Sequence, residues 1–534
     1  DAQESRGLGD VYKRQILLCV IATSFTGCFG RKKSGEAFSM PIMDEPTSLD
    51  PQIADSNSEK LVAANCYEGL VRIMADGTIG KGVATDWNIS DDGLTYTFKL
   101  RNNSHWAMFS GHKAVLGENY EDTFDITVKA EDFKFGIERT LSEQTGSADA
   151  PLFSAVKSIS TPDDFTIVFN LSYADDNFLY ALTNPGAMPC DEEFFNLTNG
   201  KYGLDAKYLL CNGPFHVSKW TEKTSVKLVK NNEYNGESSV SPSSVTFYIN
   251  NNDSEVADKM NSVTYDVAFL SSSQFSSIEN KKDLNSVAVQ NVTYSFIFNQ
   301  NDNNYRNKNM RLAFCRSCDT SSLFDSQSDI SKADGIVPPS CKIGGEDYRN
   351  GNAAELLSYD ETLAKKNFND ALLELGSSSV ETTILCTEQY ESFVKQMVQK
   401  LQKTLGVKFV STVKVVSESD LEAAVNDGNY SVAFYPFKAK SSFAGEIIEG
   451  FDQNNIFGYE SDVLSQKIRN IKNNSGSLEG ERSAVADAEN YLVSEAVIMP
   501  VFYENSYFVT SKKTSGIYFY SSADNVCFIN AKKS

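Results

Sequence analysis

Two periodicities interleave along this chain, and their mixture limits the fold more than any other feature. Apolar residues at every second position mark strands at Thr95–Leu100, where Tyr96, Phe98 and Leu100 share a face, and again at 165–171, 245–249 and 294–299. Between such runs the spacing switches to that of helices. Over 360–375, Ala364, Phe368, Ala371, Leu372 and Leu375 fall on one side, with Asp360 placed to cap and Gly376 to stop the helix. A second helix is expected over 391–405, burying Val394, Met397, Val398, Leu401 and Leu405 before Gly406. A third is expected over about 481–495, with Ala484, Ala488, Tyr491 and Leu492 inward. No fixed period repeats, so solenoids and propellers are excluded and the class is α/β or α+β with mixed sheets.

The chain is 534 residues long, enough for two to four structural units at about 150 residues each. Its 41% hydrophobic and 22% charged content is that of a globular protein able to bury large cores. A formal charge of -22 repels phosphate backbones, which argues against nucleic acid as a partner. Only three histidines occur, His105, His112 and His216, leaving little material for His-rich metal sites.

Residues 16–27 (ILLCVIATSFTG) are an apolar run too short for the roughly 20 residues of a membrane-spanning helix. The run reads as the core of a signal peptide, and it closes on Phe25-Thr26-Gly27-Cys28. Small residues directly before a cysteine resemble the lipobox of bacterial lipoproteins. By that resemblance Cys28 becomes the first mature residue and carries diacylglycerol, with two or more acyl chains giving stable anchoring. Residues 1–15 lack an initiator Met, and Asp10 to Gln15 back-translate, with suitable codons, into a transposon adaptor, so this stretch is expected to be non-native. Residues 29–38 are short and polar, as expected of a tether.

Enzyme signatures are missing. The sequence holds no G-x-S-x-G, H-E-x-x-H, P-loop or G-x-G-x-x-G. The one C-x-x-C, Cys315-Arg316-Ser317-Cys318, lies in a helix with no second pair at zinc spacing, and is read as packed or incidentally bridged. Eight cysteines in the mature body are too sparse for a disulfide framework. Ser90-Asp91-Asp92-Gly93 is hairpin chemistry, with Gly where positive φ is needed.

A series of short motifs gives these pieces an order. Asp44-Glu45-Pro46-Thr47-Ser48-Leu49-Asp50-Pro51 is followed by Tyr67-Glu68-Gly69-Leu70-Val71, Asp76-Gly77 and Val83-Ala84-Thr85-Asp86-Trp87. Asp92-Gly93-Leu94-Thr95-Tyr96, Trp106, Ala130-Glu131-Asp132-Phe133 with Arg139, and Asn212-Gly213-Pro214-Phe215 with Trp220 come next. Arg311-Leu312-Ala313, Pro338-Pro339, Tyr359-Asp360 and Met499-Pro500-Val501-Phe502-Tyr503 complete the run. In order and spacing over about 40–530 the chain resembles family 5 extracellular solute-binding proteins of the oligopeptide-binding type, which serve bacterial ABC importers.

The resemblance implies an α/β, bilobal, periplasmic-binding-protein-like fold of type II, in its large three-domain form, with mixed sheets and two hinge crossovers. It implies 39–66, 186–293 and 504–534 as lobe I, 67–185 as an inserted smaller domain and 294–503 as lobe II. The crossing strands would lie near 294–299 and 501–503. A small solute, an oligopeptide by the resemblance, would lie between the lobes and pass to an ABC permease with its ATPase. The protein would be extracytoplasmic, monomeric and lipid-anchored to the outer face of the bacterial membrane, with no enzymatic activity and no cofactor. Alternatives from other classes are an exported sensor or chaperone for a non-peptide solute, and a secreted hydrolase.

Candidate ligand contacts follow by position: Asp55, Ser56 and Asn57 in a loop, Tyr294 and Phe296 beside the first crossover, and Tyr435, Phe437 and Lys438 after a strand. One departure stands out. Peptide-binding members hold the ligand ammonium with an aspartate near this last strand, whereas 430–440 (YSVAFYPFKAK) contains no acid. Either another carboxylate such as Asp55 supplies the charge, or Lys438 or Lys440 meets an anion. The segment between Trp106 and Ala130, with His112, Glu118, Glu121, Asp122 and Asp125, is longer than usual and is expected to be an exposed loop without a metal.

Overall fold

The computed structural model describes residues 35–534 except 75–77, 237, 321–322, 325–328, 439–442, 453–454, 476 and 521–524. The signal run, Cys28, most of the tether, Asp76-Gly77 and Lys440 therefore lie outside the described residues.

The first body is built on two four-stranded sheets. In one, Ala37–Ile42 pairs in parallel with Ser244–Ile249, and Ser225–Lys230 and Phe215–Thr221 follow antiparallel. Strand structure thus begins at Ala37, inside the expected tether, because the Phe38 ring buries against Phe528. The other sheet, ordered Ala84–Ile89, Thr95–Leu100, Thr166–Leu171, Val156–Asp163, is antiparallel throughout. One apolar cluster runs through both sheets and includes Phe98, Trp106, Phe133, Phe169, Phe215 and Phe247.

Family-like motifs act here as scaffold. Asp50 accepts from Arg139 Nη2 at 2.6 Å, and Arg101 pairs with Glu68 while donating to the Gly82 carbonyl at 2.6 Å. The segment after Trp106 exposes Glu118, Asp122 and Asp125 as expected, but it is not a plain loop. It forms short helices, Lys113–Leu116 and Tyr120–Thr123, and His112 is buried among Phe109 and Phe194 with Nε2 3.1 Å from the Leu209 carbonyl. Burial pushes that imidazole down to about 4.

A mixed sheet runs from the first body, whose core takes up Val267 and Phe508, into the second, where it is covered on both faces. Its order is Val267–Ser271, Ile498–Ser511, Leu284–Phe298, Val432–Lys438, Val380–Cys386, Phe409–Val415, with Ile330–Lys332 also on Ile498–Ser511. The last three strands are parallel, joined by helices Glu391–Leu405 and Glu418–Asn426. One face is covered by Lys308–Ser317, Glu361–Leu375 and Glu391–Leu405, the other by Ala444–Glu449, Asp462–Asn473 and Leu478–Ser494.

Local chemistry sets these elements. Asp360 Oδ1 accepts from the Leu363 N–H at 2.9 Å, and Gly376 closes the helix at φ 63°. Helix Glu391–Leu405 buries the five apolar residues that its spacing predicts, with Phe393 and Thr404 beside them. Its Leu401 is fully buried, and truncating such a leucine costs about 2–5 kcal/mol.

The third expected helix starts earlier, at Leu478, and its buried residues include Glu481 and Glu489. Cys315 and Cys318 are buried at the end of Lys308–Ser317, and all eight described cysteines are free.

Two long strands, Leu284–Phe298 and Ile498–Ser511, join the bodies. They pair antiparallel along nearly their whole length, with register shifts between Val289 and Val292 and between Tyr294 and Ser295. The first strand is far longer than its alternating segment. Residues 285–288 are all exposed and show no period of two, so backbone pairing, not side-chain burial, holds them extended.

Candidate functional site

Between the bodies lies a cavity of about 660 Å³, a size suited to enclosing a small solute. Its near wall comes from the first body. Helix Asn57–Cys66 begins with a capping box in which Ser56 accepts from the Glu59 N–H and Glu59 returns the bond. That geometry points Lys60 at the cavity, where Nζ lies 3.8 Å from Asp149 Oδ1. Asp149 also accepts from the Gly186 N–H at 2.9 Å; burial pushes its carboxyl up and Lys60 pulls it down. Tyr173, Asp175, Asn177, Tyr180 and Asn184 extend this wall.

The far wall belongs to the second body. Strand Val432–Lys438 loses its neighbour Val380–Cys386 after Ala433, so its last residues emerge with one partner strand and tolerate Pro436. Tyr435, Pro436, Phe437 and Lys438 face the cavity there. Phe437 stacks on Phe451 and Phe457 with centroids 5.9 and 5.8 Å away, and Phe443 completes an aromatic wall. Lys342, Glu446, Glu449, Lys472 and Glu481 supply charge.

The two walls also touch each other directly, through residues that line the cavity. Asn177 Nδ2 donates to both oxygens of Glu481 at 2.8 and 3.0 Å, and its Oδ1 accepts from the Gly344 N–H at 3.2 Å. The Asp176 N–H donates to the Ser475 carbonyl and the Ser475 hydroxyl to the Ala174 carbonyl, both at 2.6 Å. At Gly345, with φ 83°, a Cβ would strike the Tyr180 hydroxyl, so only glycine lets the chains approach this closely.

Carboxyls gather at that contact. Burial, and after it Asp175, Asp176 and Glu449, push Glu481 up to about 8, against the Asn177 hydrogen bond. Burial raises Asp175 to about 6, and it raises Glu449 against the pull of Lys472, 3.8 Å away.

Of the residues proposed from sequence, Tyr435, Phe437 and Lys438 line the cavity. Asp55, Ser56 and Asn57 start the helix that delivers Lys60 and are not among the lining residues. Tyr294 packs on Tyr390, Phe434 and Phe502, and Phe296 is wholly buried against Phe314 and Phe434. Sequence reasoning missed Lys60, Asp149, Asp175, Glu449 and Glu481. Spacing carried no sign of them, since the fold brings them together from segments hundreds of residues apart. Among the described residues no metal-binding group occurs and no helix is long and apolar enough to cross a membrane.

Residues 78–457 match the model of bacterial extracellular solute-binding proteins, family 5 Middle. The dipeptide-binding protein DppE of Bacillus subtilis is 24% identical over 497 residues, covering 89% of this chain and 88% of that protein. A dipeptide-binding protein from Pseudoalteromonas sp. SM9913, solved with Met-Leu, superposes with a TM-score of 0.75 at 18% identity, covering 93% of this chain and 100% of the other. Listeria monocytogenes OppA bound to peptide gives 0.73 at 21%, covering 94% and 100%. The architecture is thus the large type II binding-protein fold expected from sequence.

Proposed function

The chain belongs to the bacterial extracellular solute-binding proteins of family 5, which are extracytoplasmic and are not enzymes, and on that premise we propose that it captures a short peptide or peptide-like solute for an ABC importer. The observation that carries this reading is the 660 Å³ cavity between two bodies joined by two long strands. Such a joint lets the bodies part and close as hinged units, and the register shifts at 289–295 supply its natural bending points.

On this proposal lobe I is 39–66, 186–293 and 504–534, the inserted domain 67–185 and lobe II 294–503, so the long mixed sheet is shared, with Val267–Ser271 and one end of each crossing strand on the lobe I side. In this reading Tyr435, Phe437 and Lys438 contact the solute together with Lys60, and the aromatic wall takes an apolar side chain. Asp55, Ser56 and Asn57 act indirectly by placing Lys60. Tyr294 and Phe296 hold the first crossing strand against lobe II. The names of relatives that bind dipeptides and oligopeptides favour a peptide. An ABC permease with its ATPase is the partner for the closed, loaded monomer, and Cys28 carries the lipid that holds it at the membrane.

The missing acid at 436–438 sets the test. Thermal shifts with di- and tripeptides, free or acetylated at the amine, should show equal stabilisation by both forms. Stabilisation by free amines alone would show that another carboxylate holds the amine and refute an anion-facing Lys438, and none by any peptide would refute the peptide reading.

A further inference from the structure

Three carboxylates from the helices of one body and two from a loop of the other gather at a single contact. Glu481 is wholly buried there, and among the described residues its side-chain hydrogen-bond donor is Asn177, which comes from the opposite body. Asp175 and Asp176 flank that asparagine. Asp176 meets the N–H of Leu478 at the start of the helix that carries Glu481, and Asp175 accepts from the Asn177 N–H at 2.9 Å. Helix Ala444–Glu449 adds Glu449 and Glu446. Of the basic groups nearby, Lys472 lies 3.8 Å from Glu449 and gives that one member a cation, Lys342 lies 3.6 Å from Asp347 on its own hairpin, and Lys60 and Lys438 line the same cavity. Among the described residues, no lysine or arginine forms an ion pair with Glu481, Asp175 or Asp176.

We propose that Asn177 and Glu481 form a proton-loaded latch: the lobes close fully only when the carboxyl cluster between them takes up a proton, so solute capture is favoured by acid and release by alkali. The inference rests on the clamp reading only in requiring that the lobes move, and not on the solute being a peptide. Its physical ground is that Glu481, Asp175 and Asp176, like charges brought together out of water without an ion-pair partner of their own among the described residues, cannot all stay ionised.

The linkage has a definite sign. In the open form Glu481 faces solvent and titrates in the ordinary carboxylate range, whereas the closed contact pushes it up to about 8. The closed form therefore holds a proton that the open form releases, and rising pH favours opening until the closed-state value is passed. For one proton the closed-to-open ratio changes by up to about tenfold per pH unit within that window.

Small-angle scattering of the full chain without added solute, from about pH 9 to about pH 6, reads this directly. The radius of gyration should shrink as pH falls in the parent protein. Glu481→Gln, which keeps the shape and the bond to Asn177 without the charge, should be compact and invariant over the same range. Circular dichroism checks that the variant folds, and Glu449→Gln, which removes a neighbouring charge, should shift the parent transition to higher pH. A radius that ignores pH in the parent, or a Glu481→Gln profile that follows it, overturns the latch whatever solute the cavity accepts.

Discussion

Glu481 and Glu489 lie about two turns apart on one helix, both almost completely buried, and the fold treats them in opposite ways. Glu489 is satisfied within its own body. It accepts from the Ile336 and Val337 N–H groups at 2.7 and 2.9 Å, from the Tyr348 hydroxyl at 3.0 Å, and from both ends of the Arg349 guanidinium. Glu481 has one amide, from the other body, and carboxylates for neighbours. A buried charge with a permanent cation fastens a core, while one whose partner arrives only on closure makes the contact conditional.

The largest effect expected from this contrast is at the permanent pair. Arg349→Met leaves Glu489 buried without its cation and should cost about 3–5 kcal/mol in chemical denaturation. Asn177→Ala should leave global stability nearly intact and strike closure instead. Removing the Asn177 donor from a buried carboxyl costs about 1–3 kcal/mol, which titration with a bound peptide would read as a roughly 5- to 150-fold loss of affinity. Ser475→Ala removes one neutral bond across the same contact and should weaken affinity by about 0.5–1.5 kcal/mol. The smallest change in folding stability belongs to Glu481→Gln. Its thermal midpoint should match the parent in acid, below the ordinary carboxylate range, and equal or exceed it from neutrality upward, because the parent's penalty for that proton builds up between that range and about 8. An alkaline loss of stability in this variant would erase the distinction between the two glutamates.

Local signals account for what was legible in the sequence. Asp360 and Gly376 bracket a helix because a side-chain acceptor and a left-handed backbone are needed at those points, and Gly93 adopts φ 69° in its hairpin for the same reason. The ordered motifs exposed the family, and with it the two-body architecture. Non-local effects hid the rest. Residues 285–288 carry no alternating face although they form part of a crossing strand, because their hold is the backbone ladder to Ile498–Ser511.

His112 sits beside acidic residues in sequence, but Phe109 and Phe194 enclose it. In the site, Tyr435, Phe437 and Lys438 were readable because they end a strand whose place the motifs fixed. Glu481 was not, since its helix face reads as mostly apolar and its meaning depends on Asn177, 304 residues earlier. Tyr294 and Phe296 share a face as their alternation requires, yet that face turns to the aromatic core of the second body.

The central claim is that two lobes enclose a small solute without transforming it. Native mass spectrometry of protein purified without denaturant, before and after incubation with defined di- to tetrapeptide pools, tests this most directly. The account predicts one added mass of peptide size per chain, unchanged over hours and released intact on denaturation. A bare chain in every pool, or recovery of cleaved peptides, would contradict it.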